Sequence, residues 1–282
     1  MRYRRSFVGA SLFLLAAVAA AAPPAQPKPT VTVKPATPPL RVAETMTWTV
    51  DGAQRTALVY APAVGASTDK HPIVFGFHGH GGTMQGSAKM FHYQTLWPEA
   101  VVVYPQGLKG ASLHDPTGQR TGWQQQAGDS GDRDLHLFDA IVAALHQKYT
   151  IDDGRVYTAG FSNGATFSYL LWVTRGTQLA AIAACAGHFA DDDHLPSEPR
   201  SVVHIGGTAD TTAPWSSQQD AIATDRNVDH AMAAGQACGP HCTLYPSTSH
   251  TPVETLIHSG GHVYPPWASK PIVAFFKAHA KP

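Results

Sequence analysis

The chain has 282 residues, with 20 Lys and Arg against 20 Asp and Glu, and only 14 % of its residues are charged. Globular proteins average ~25 % charged residues, and 43 % of this chain is hydrophobic, which together exclude a disordered polyelectrolyte. A formal net charge of zero, without a sustained basic run, argues against a nucleic-acid-binding protein.

The first 22 residues have the pattern of a cleaved export signal. Three arginines precede an apolar run at 7–20, and small residues end the segment at Ala22. The apolar run is shorter than the ~20 residues that a membrane span requires. We therefore predict an exported protein, periplasmic or extracellular, that has no membrane attachment once residues 1–22 are removed; Sec and twin-arginine export both remain open. Cleavage leaves 17 basic against 20 acidic residues, a net charge of −3.

A proline-rich segment follows the signal. Seven of the eighteen residues from 23 to 40 are proline, a composition that favours an extended, polyproline-like conformation. We therefore predict a linker over residues 23–41. Residues 42–282 then form one domain, within the size range of a single hydrophobic core.

Strand and helix patterns alternate along residues 42–282. Asp51-Gly52 separates the runs Met46–Val50 and Thr56–Tyr60 and predicts a β-hairpin. Later apolar runs lack polar alternation and indicate strands buried on both faces: Pro72–His78, Ala100–Pro105, Arg155–Ser162, Ala180–Ala186, Ser201–Ile205 and Val253–His258. Helical spacing occurs at Asp134–Tyr149, Ala165–Val173, Ser216–Ala234 and Trp267–Ala280. This order predicts a three-layer α/β sandwich with a mostly parallel sheet and an antiparallel N-terminal hairpin.

A G-x-S-x-G motif, Gly160 to Gly164, lies between a predicted strand and a predicted helix. In such a tight turn, glycine on both sides removes side chains that would collide, and the serine hydroxyl is lifted clear of the sheet. The motif in this setting predicts Ser162 as a nucleophile.

A serine nucleophile needs a base, and the base needs an acid that orients it. In an α/β fold with a G-x-S-x-G turn, the three residues occur along the chain in the order serine, acid, histidine. Asp210 follows the serine and lies in a glycine-containing loop just past a predicted strand. The competing carboxylates form a like-charge run or fall inside a helix: Asp191, Asp192, Asp193, Asp220, Asp225 and Asp229. We therefore predict Asp210 as the acid.

Sixteen histidines compete for the role of base. His262 follows the strand Val253–His258 and a Gly260-Gly261 turn, which places it at the carboxyl end of the sheet, where the base is needed. The nearest competitors lie within that strand, on the last helix or before the strand: His258, His279 and His250. We therefore predict His262 as the base.

The glycine-rich turn at 77–82 follows another predicted strand and exposes backbone N–H groups. We predict that the N–H groups of His80 and Asn163 form an oxyanion hole. His78 and His80 also have the H-x-H spacing of metal ligands, but no third ligand completes a site, so we expect neither a metal nor a cofactor.

The cysteine spacing predicts a disulfide. Cys238 and Cys242 are close enough in an exported chain to close a short loop, although a metal-binding role for the pair is an alternative. Cys185 is expected to be buried in a strand, and its pairing with either of the other two remains open.

Seven short motifs follow one another over most of the domain. They are FHGHGG at 77–82, VVVYPQG at 101–107, GW at 122–123, DRDLHLFDAIVAAL at 132–145, DDGRVYTAGFSNGA at 152–165, HIGGTADTTAPW at 204–215 and GGHVYP at 260–265. Together they resemble the exported α/β-hydrolase esterases that include polyhydroxybutyrate depolymerase-like proteins and bacterial feruloyl or acetylxylan esterases (carbohydrate esterase family 1-like). The resemblance implies an α/β-hydrolase fold; we expect no large cap domain.

The resemblance also implies site residues. Ser162, Asp210 and His262 match the catalytic triad of these esterases and His80 matches their oxyanion loop. Residues that match their substrate pocket are Trp123, Trp215 and Tyr264, for which plain packing is an equal alternative. The chain departs from many members of the family at Ala165 and His80, which affects the expected width of the pocket.

These observations predict a secreted, monomeric serine carboxylic ester hydrolase that acts through an acyl-enzyme. Its expected partner is an ester substrate, either a feruloyl or acetyl ester of a polysaccharide or a hydroxyalkanoate polyester. Two alternatives are a serine peptidase of the same fold and a non-catalytic polymer-binding relative.

Overall fold

The computed structural model describes Met1, Gly9 and residues 41–63, 70–111, 115–190 and 194–282. The predicted export signal and nearly all of the predicted linker therefore lie outside the described residues. The chain divides into two units, Met1–Pro39 and Leu40–Pro282, and the fold described below is that of the second unit.

Twelve strands, six α-helices and two short 3-10 helices (Asp129–Asp132 and Gly176–Gln178) are found in the described part of this unit. The strands are β1 (Glu44–Val50), β2 (Ala53–Tyr60), β3 (His71–Phe77), β4 (Val101–Pro105), β5 (Leu108–Lys109), β6 (Thr121–Gly122), β7 (Ile151–Phe161), β8 (Ala181–Cys185), β9 (Ser201–Gly207), β10 (Gln236–Gly239), β11 (Cys242–Tyr245) and β12 (Val253–His258). The helices are α1 (Met84–Phe91), α2 (Tyr93–Leu96), α3 (Arg133–Lys148), α4 (Asn163–Arg175), α5 (Trp215–Val228) and α6 (Ser269–Ala278).

One ten-stranded sheet has the order β1-β2-β4-β3-β7-β8-β9-β12-β11-β10. Its six central strands, from β4 to β12, are parallel, whereas β1 and β2 form the predicted antiparallel hairpin and β10 and β11 add a second antiparallel edge. The parallel strands β4, β8 and β9 are buried at every position. This burial explains why the sequences of β4 and β8 are continuous apolar runs, whereas β9 buries two polar residues, Ser201 and His204, among its apolar ones.

Helices cover both faces of the sheet. Residues of α3, α4 and α5 pack into one hydrophobic cluster against one face, and residues of α1, α2 and α6 pack into a second cluster on the other. The unit is therefore a three-layer α/β sandwich, as the sequence predicts. No helix in the described part of the chain is long and apolar enough to cross a membrane.

The C-terminal edge of the sheet differs from the prediction. The helix that the sequence predicts over Ser216–Ala234 ends at Val228, because His230 takes a left-handed conformation with φ of 52° and the chain then turns into β10. A disulfide joins Cys238 to Cys242 across the β10–β11 hairpin, with Cα atoms 5.1 Å apart, and Cys185 is a buried free cysteine. The predicted pairing is confirmed.

Candidate active site

The turn between β7 and α4 holds Ser162 in an unusual backbone conformation, with φ of 56° and ψ of −122°. The two flanking glycines are sterically required there. A Cβ on Gly160 would lie 2.0 Å from the carbonyl oxygen of Gly164, and a Cβ on Gly164 would lie 2.3 Å from that of Phe77. The sequence therefore folds into a sharp strand-to-helix turn that presents the serine side chain at the carboxyl end of the sheet.

His262 lies in the loop after β12 and joins Ser162 to Asp210. Its Nε2 is 2.8 Å from the Ser162 Oγ, and its Nδ1 is 2.8 Å from Oδ2 of Asp210. The three predicted residues therefore meet in one continuous chain of hydrogen bonds, although Ser162 and His262 are 100 residues apart in sequence.

Two loops are bonded together so that Asp210 and His262 meet. The N–H of Thr208 donates to the carbonyl of His258 at 2.9 Å, and the N–H of Ala209 donates to that of Gly260 at 3.0 Å. Gly207 makes this approach possible, because a Cβ there would lie 2.4 Å from the carbonyl oxygen of Gly260.

The carboxylate of Asp210 is buried and fully hydrogen-bonded. Its Oδ1 accepts from the backbone N–H groups of Thr212 and Ala213 at 2.9 and 3.0 Å. Its Oδ2 accepts from Gln218 at 3.0 Å in addition to His262. These four donors hold the carboxylate in one orientation. No sequence pattern pointed to Gln218, which is one of two adjacent glutamines near the start of α5.

One predicted oxyanion donor, Asn163, directly follows the nucleophile, and the other, His80, lies in the loop after β3. The loop after β3 packs directly on the serine turn, since a Cβ on Gly79 would lie 3.3 Å from the Ser162 Cβ. Among the described residues, the backbone N–H groups of His80 and Asn163 have no hydrogen-bond acceptor. Unpaired N–H groups next to the serine are what an oxyanion hole requires.

Trp123 is hydrogen-bonded both to the loop after β3 and to the serine turn. Its indole N–H donates to the carbonyl of His78 at 2.8 Å, while the side-chain amide of Asn163 pairs with both backbone groups of Trp123 at 2.8 and 3.0 Å. Trp123 is only 4 % exposed and its ring packs against Phe77 and Phe167. It is therefore part of the core, and the packing alternative describes it better than the predicted pocket wall does.

Trp215 and Tyr264 are half-buried near the triad. The Trp215 ring packs on Gly206, where a Cβ would lie 2.6 Å from it. The Tyr264 hydroxyl contacts the Ser269 hydroxyl at 2.8 Å and that of Tyr93 at 3.4 Å, and burial raises its pKa. The Tyr264 hydroxyl is therefore engaged by Ser269 and Tyr93, and a role in binding substrate remains a prediction for both rings.

His78, the first residue of the H-x-H pair, is buried and uses both ring nitrogens in hydrogen bonds. Nδ1 donates to the carbonyl of Gly79 at 2.8 Å, and Nε2 accepts from the N–H of Gly107 at 3.0 Å. Burial lowers its pKa, which favours this neutral form. His78 therefore positions the oxyanion loop and has no nitrogen left for a metal.

The competing residues are located elsewhere. Nδ1 of His258 accepts from the N–H of Gly260 at 3.0 Å and stabilises the turn that leads to His262. Asp225 and Asp229 are buried near the C-terminal end of α5, Asp220 is exposed, and the residues 191–193 lie outside the described residues. In the described part of the chain, the one cluster with metal-ligand geometry contains Cys238, Cys242 and Glu254, and its two sulfurs are already joined in the disulfide.

The sheet order, the serine turn and the Ser–His–Asp arrangement together define the α/β-hydrolase fold. Residues 61–223, more than half of the chain, match the phospholipase/carboxylesterase family, and the chain belongs to that family.

Two curated relatives are fungal esterases. The chain is 28 % identical over 203 residues to the bifunctional acetylxylan esterase/xylanase XynS20E of Neocallimastix patriciarum. This match covers 69 % of this chain and 28 % of that protein. It is 28 % identical over 156 residues to feruloyl esterase D of Neurospora crassa, and this match covers 53 % of this chain and 51 % of that protein. The chain thus spans about a quarter of the first relative and about half of the second.

Solved structures share the fold at low sequence identity. An acetyl xylan esterase from Aspergillus awamori superposes with a TM-score of 0.65 at 15 % identity, over 83 % of this chain and 99 % of that one. A ferulic acid esterase gives a TM-score of 0.60 at 15 % identity, over 84 % and 98 % of the two chains.

Proposed function

We propose that this protein is a serine carboxylic ester hydrolase in which Ser162, His262 and Asp210 are the catalytic triad. The observation that carries the proposal is the unbroken hydrogen-bonded sequence from the Ser162 hydroxyl through both nitrogens of His262 to the buried Asp210 carboxylate. Membership of the phospholipase/carboxylesterase family and two esterase relatives support the same reaction class.

The acylation step follows from the geometry. Nε2 of His262 takes the proton of the Ser162 hydroxyl as the serine oxygen attacks the ester carbonyl, and Asp210 keeps the Nδ1–H tautomer in place. The carbonyl oxygen becomes an oxyanion that accepts from the N–H groups of His80 and Asn163. Collapse of this intermediate breaks the bond to the alcohol, which leaves with the proton held on His262.

Deacylation repeats the same steps with water. His262 takes a proton from a water molecule, the resulting hydroxide attacks the acyl carbonyl, and the tetrahedral intermediate expels the Ser162 oxygen, which recovers its proton from His262. The products are a carboxylic acid and the regenerated serine, and His262 ends neutral as it began. Removing any triad member should therefore stop turnover without removing the oxyanion donors.

For the substrate, we propose a feruloyl or acetyl ester of a polysaccharide, with a hydroxyalkanoate polyester as the alternative within the same reaction. The printed names of the two relatives, acetylxylan esterase/xylanase and feruloyl esterase, support the polysaccharide esters. We also propose that the protein is exported, on the basis of the signal pattern in residues 1–22, and that it is a monomer.

The test of the reaction is Ser162→Ala in purified protein, with hydrolysis of p-nitrophenyl acetate and butyrate as the assay. We expect the rate to fall by about three orders of magnitude or more, to the level supported by the oxyanion donors alone. Ser216→Ala, an exposed serine on α5, is the matched control and should keep full activity. Wild-type turnover in Ser162→Ala would contradict the proposal.

The substrate is tested separately with the wild-type protein. Methyl ferulate, acetylated xylan, tributyrin and polyhydroxybutyrate are compared by kcat/KM or by release of product. A clear preference for methyl ferulate or acetylated xylan supports the polysaccharide proposal, whereas a preference for polyhydroxybutyrate selects the alternative.

A further inference from the structure

A chain of buried polar side chains leads from Asp210 into the protein, away from the catalytic serine. Nε2 of Gln218 is 3.0 Å from Oδ2 of Asp210, and Oε1 of Gln218 is 3.4 Å from Nε2 of His204. Nδ1 of His204 is 2.9 Å from the Tyr169 hydroxyl, which is 2.9 Å from Oδ2 of Asp225. Gln218, His204, Tyr169 and Asp225 have no exposed surface.

The direction of the first links is fixed by the Gln218 amide. Its NH₂ group has two protons and faces two acceptors, Asp210 and the carbonyl of Ala213, the latter at 2.7 Å. The remaining amide atom, Oε1, can only accept. The contact with His204 therefore requires a proton on Nε2 of that imidazole.

Two protonation patterns satisfy the rest of the chain. In the first, His204 is neutral, Nδ1 accepts from the Tyr169 hydroxyl, and the Tyr169 oxygen accepts from a protonated Asp225. In the second, Tyr169 donates to an ionised Asp225 and accepts from Nδ1–H, so that His204 is an imidazolium. The structure thus offers either an uncharged chain or a buried pair of charges joined through Tyr169.

The surroundings favour the uncharged chain. Oδ1 of Asp225 has no hydrogen-bond partner among the described residues, which is costly for an ionised carboxylate and acceptable for a carboxylic acid. Burial lowers the pKa of His204 to about 4 and raises the pKa of Asp225 well above its ordinary value. Burial also raises the pKa of Tyr169, so that its hydroxyl keeps its proton.

We propose that Asp225 is a protonated carboxylic acid at neutral pH and that it donates a hydrogen bond to the Tyr169 oxygen. The Tyr169 hydroxyl then donates to His204, His204 donates to Gln218, and Gln218 donates to Asp210. Every hydrogen bond in this chain then points toward the triad carboxylate. Gln218, His204, Tyr169 and Asp225 are positioning residues, and their effect on turnover rests on the proposed function, whereas the protonation of Asp225 does not.

The consequence for the triad lies at Oδ2 of Asp210, which accepts from both Gln218 and His262. The Gln218 donor orients this oxygen and neutralises part of its charge. Without that donor, the carboxylate stabilises the His262 imidazolium more strongly, and the base loses its neutral form at a higher pH. Loss of the donor should therefore move the acid limb of the pH–rate profile upward.

Other ionisable groups face this chain from four directions. His188, in the loop after β8, disfavours a proton on His204, and Asp229, at the end of α5, faces Tyr169 and Asp225. Arg200, just before β9, interacts with Asp229, and His258 at the end of β12 faces Asp210. None of these contacts supplies Asp225 with a hydrogen-bonded cation among the described residues.

The protonation of Asp225 is tested without any turnover. At pH 7, the infrared spectrum of Asp225→Asn should lack one carboxylic-acid carbonyl band that is present in the wild type, and Asp220→Asn, an exposed acid on the same helix, should keep it. Asp229→Asn identifies any band from the neighbouring acid. Because a variant can fail to fold, the wild-type His204 is also examined by ¹⁵N NMR, where the expected state is neutral with the proton on Nε2. The proposal would be overturned if Asp225→Asn lost a carboxylate band and no carboxylic-acid band. An imidazolium at His204 would also overturn it.

The effect on the triad is tested by kinetics. Asp225→Asn keeps an N–H donor toward Tyr169 and should stay within about twofold of wild type in kcat/KM. Gln218→Met removes the donor to Asp210 and should lower kcat by about tenfold, with KM unchanged and the acid limb moved up by about 0.5 to 1 pH unit. Tyr169→Phe should shift the limb in the same direction by less. An unshifted profile in Gln218→Met at full kcat would overturn the positioning role, and the Ser162→Ala result reports separately on the proposed function.

Discussion

Ser162 occupies a backbone conformation that costs free energy for any residue with a Cβ, and its two glycine neighbours are what make the turn possible. A φ of 56° with a ψ of −122° lies outside the regions that L-residues usually adopt. Such strain persists only where the surrounding structure enforces it, and it is typical of catalytic positions. Here the hydrogen bond from the Ser162 N–H to the carbonyl of Cys185, at 2.8 Å, helps to hold the turn.

Gly164→Ala tests this steric account at a single residue. The added methyl would lie 2.3 Å from the carbonyl oxygen of Phe77 and 2.6 Å from that of His78. These atoms belong to the end of β3 and to the loop that follows it. We expect the free energy of unfolding to fall by about 1–3 kcal/mol and esterase activity to fall with it. Gly86→Ala, at an exposed helical site, is the control and should be neutral or slightly stabilising. A variant at position 164 as stable and active as wild type would contradict the close packing.

Residue patterns predicted the three residues of the proposed triad because each of them follows a recognisable strand end. Ser162 lies in a glycine-flanked turn, Asp210 lies in the loop that follows Gly207, and His262 lies in a loop that contains Gly261. Gln218, His204 and Tyr169 had no comparable signal. Their roles arise from side chains on three different elements that meet in the core, and sequence spacing alone does not report which buried polar groups face one another.

At the scale of elements, the buried strands were predicted most accurately. The prediction Val253–His258 matches β12, and Ala100–Pro105 differs from β4 by one residue. A fully buried parallel strand leaves an apolar run bounded by turn residues, which is a strong local signal. The strand before the nucleophile begins at Ile151 and not at Arg155. Its start was missed because the buried Ile151 is followed by residues 152–155, which are not apolar and are partly or fully exposed.

Elements held by isolated contacts were missed. Helix α1 begins where the Thr83 hydroxyl accepts from the N–H of Gly86 at 3.0 Å and ends at His92, which has a left-handed conformation. It is too short to show a clear helical period. Strand β10 is exposed throughout, so no apolar alternation marks it, and the hairpin with β11 is held by the disulfide and the sheet edge. The cysteine spacing indicated the covalent link without indicating the strands.

At the scale of the whole molecule, the buried acids at the end of α5 make stability depend on pH. Burial raises the pKa of Asp229 to about 9, whereas an unfolded aspartate titrates near ~3.9. Between these values the folded protein binds the proton more tightly, so its stability falls as pH rises. Asp225 acts in the same direction. His204 has the opposite slope, but only between about pH 4 and its ordinary value near ~6.5.

Asp229→Asn should therefore flatten the pH dependence of stability above neutrality. The amide cannot ionise and can still accept from the backbone N–H of Arg200, which donates to Oδ1 of Asp229 at 2.7 Å. We expect the wild-type Tm to fall more between pH 7 and pH 9 than the Tm of the variant. Asp220→Asn, which removes an exposed acid, should follow the wild type. Parallel Tm curves for wild type and Asp229→Asn would contradict a protonated Asp229.

The three-layer architecture brings together residues from four strand ends, and the central claim is that this assembly activates one hydroxyl group. The most direct measurement is the mass of the purified protein after reaction with a fluorophosphonate ester, followed by peptide mapping. The account predicts a single stoichiometric adduct on Ser162, complete loss of ester hydrolysis in step with its formation, and strongly slowed labelling in His262→Ala. An adduct on another residue, or full hydrolytic activity in the labelled protein, would contradict the assignment of Ser162 as the nucleophile.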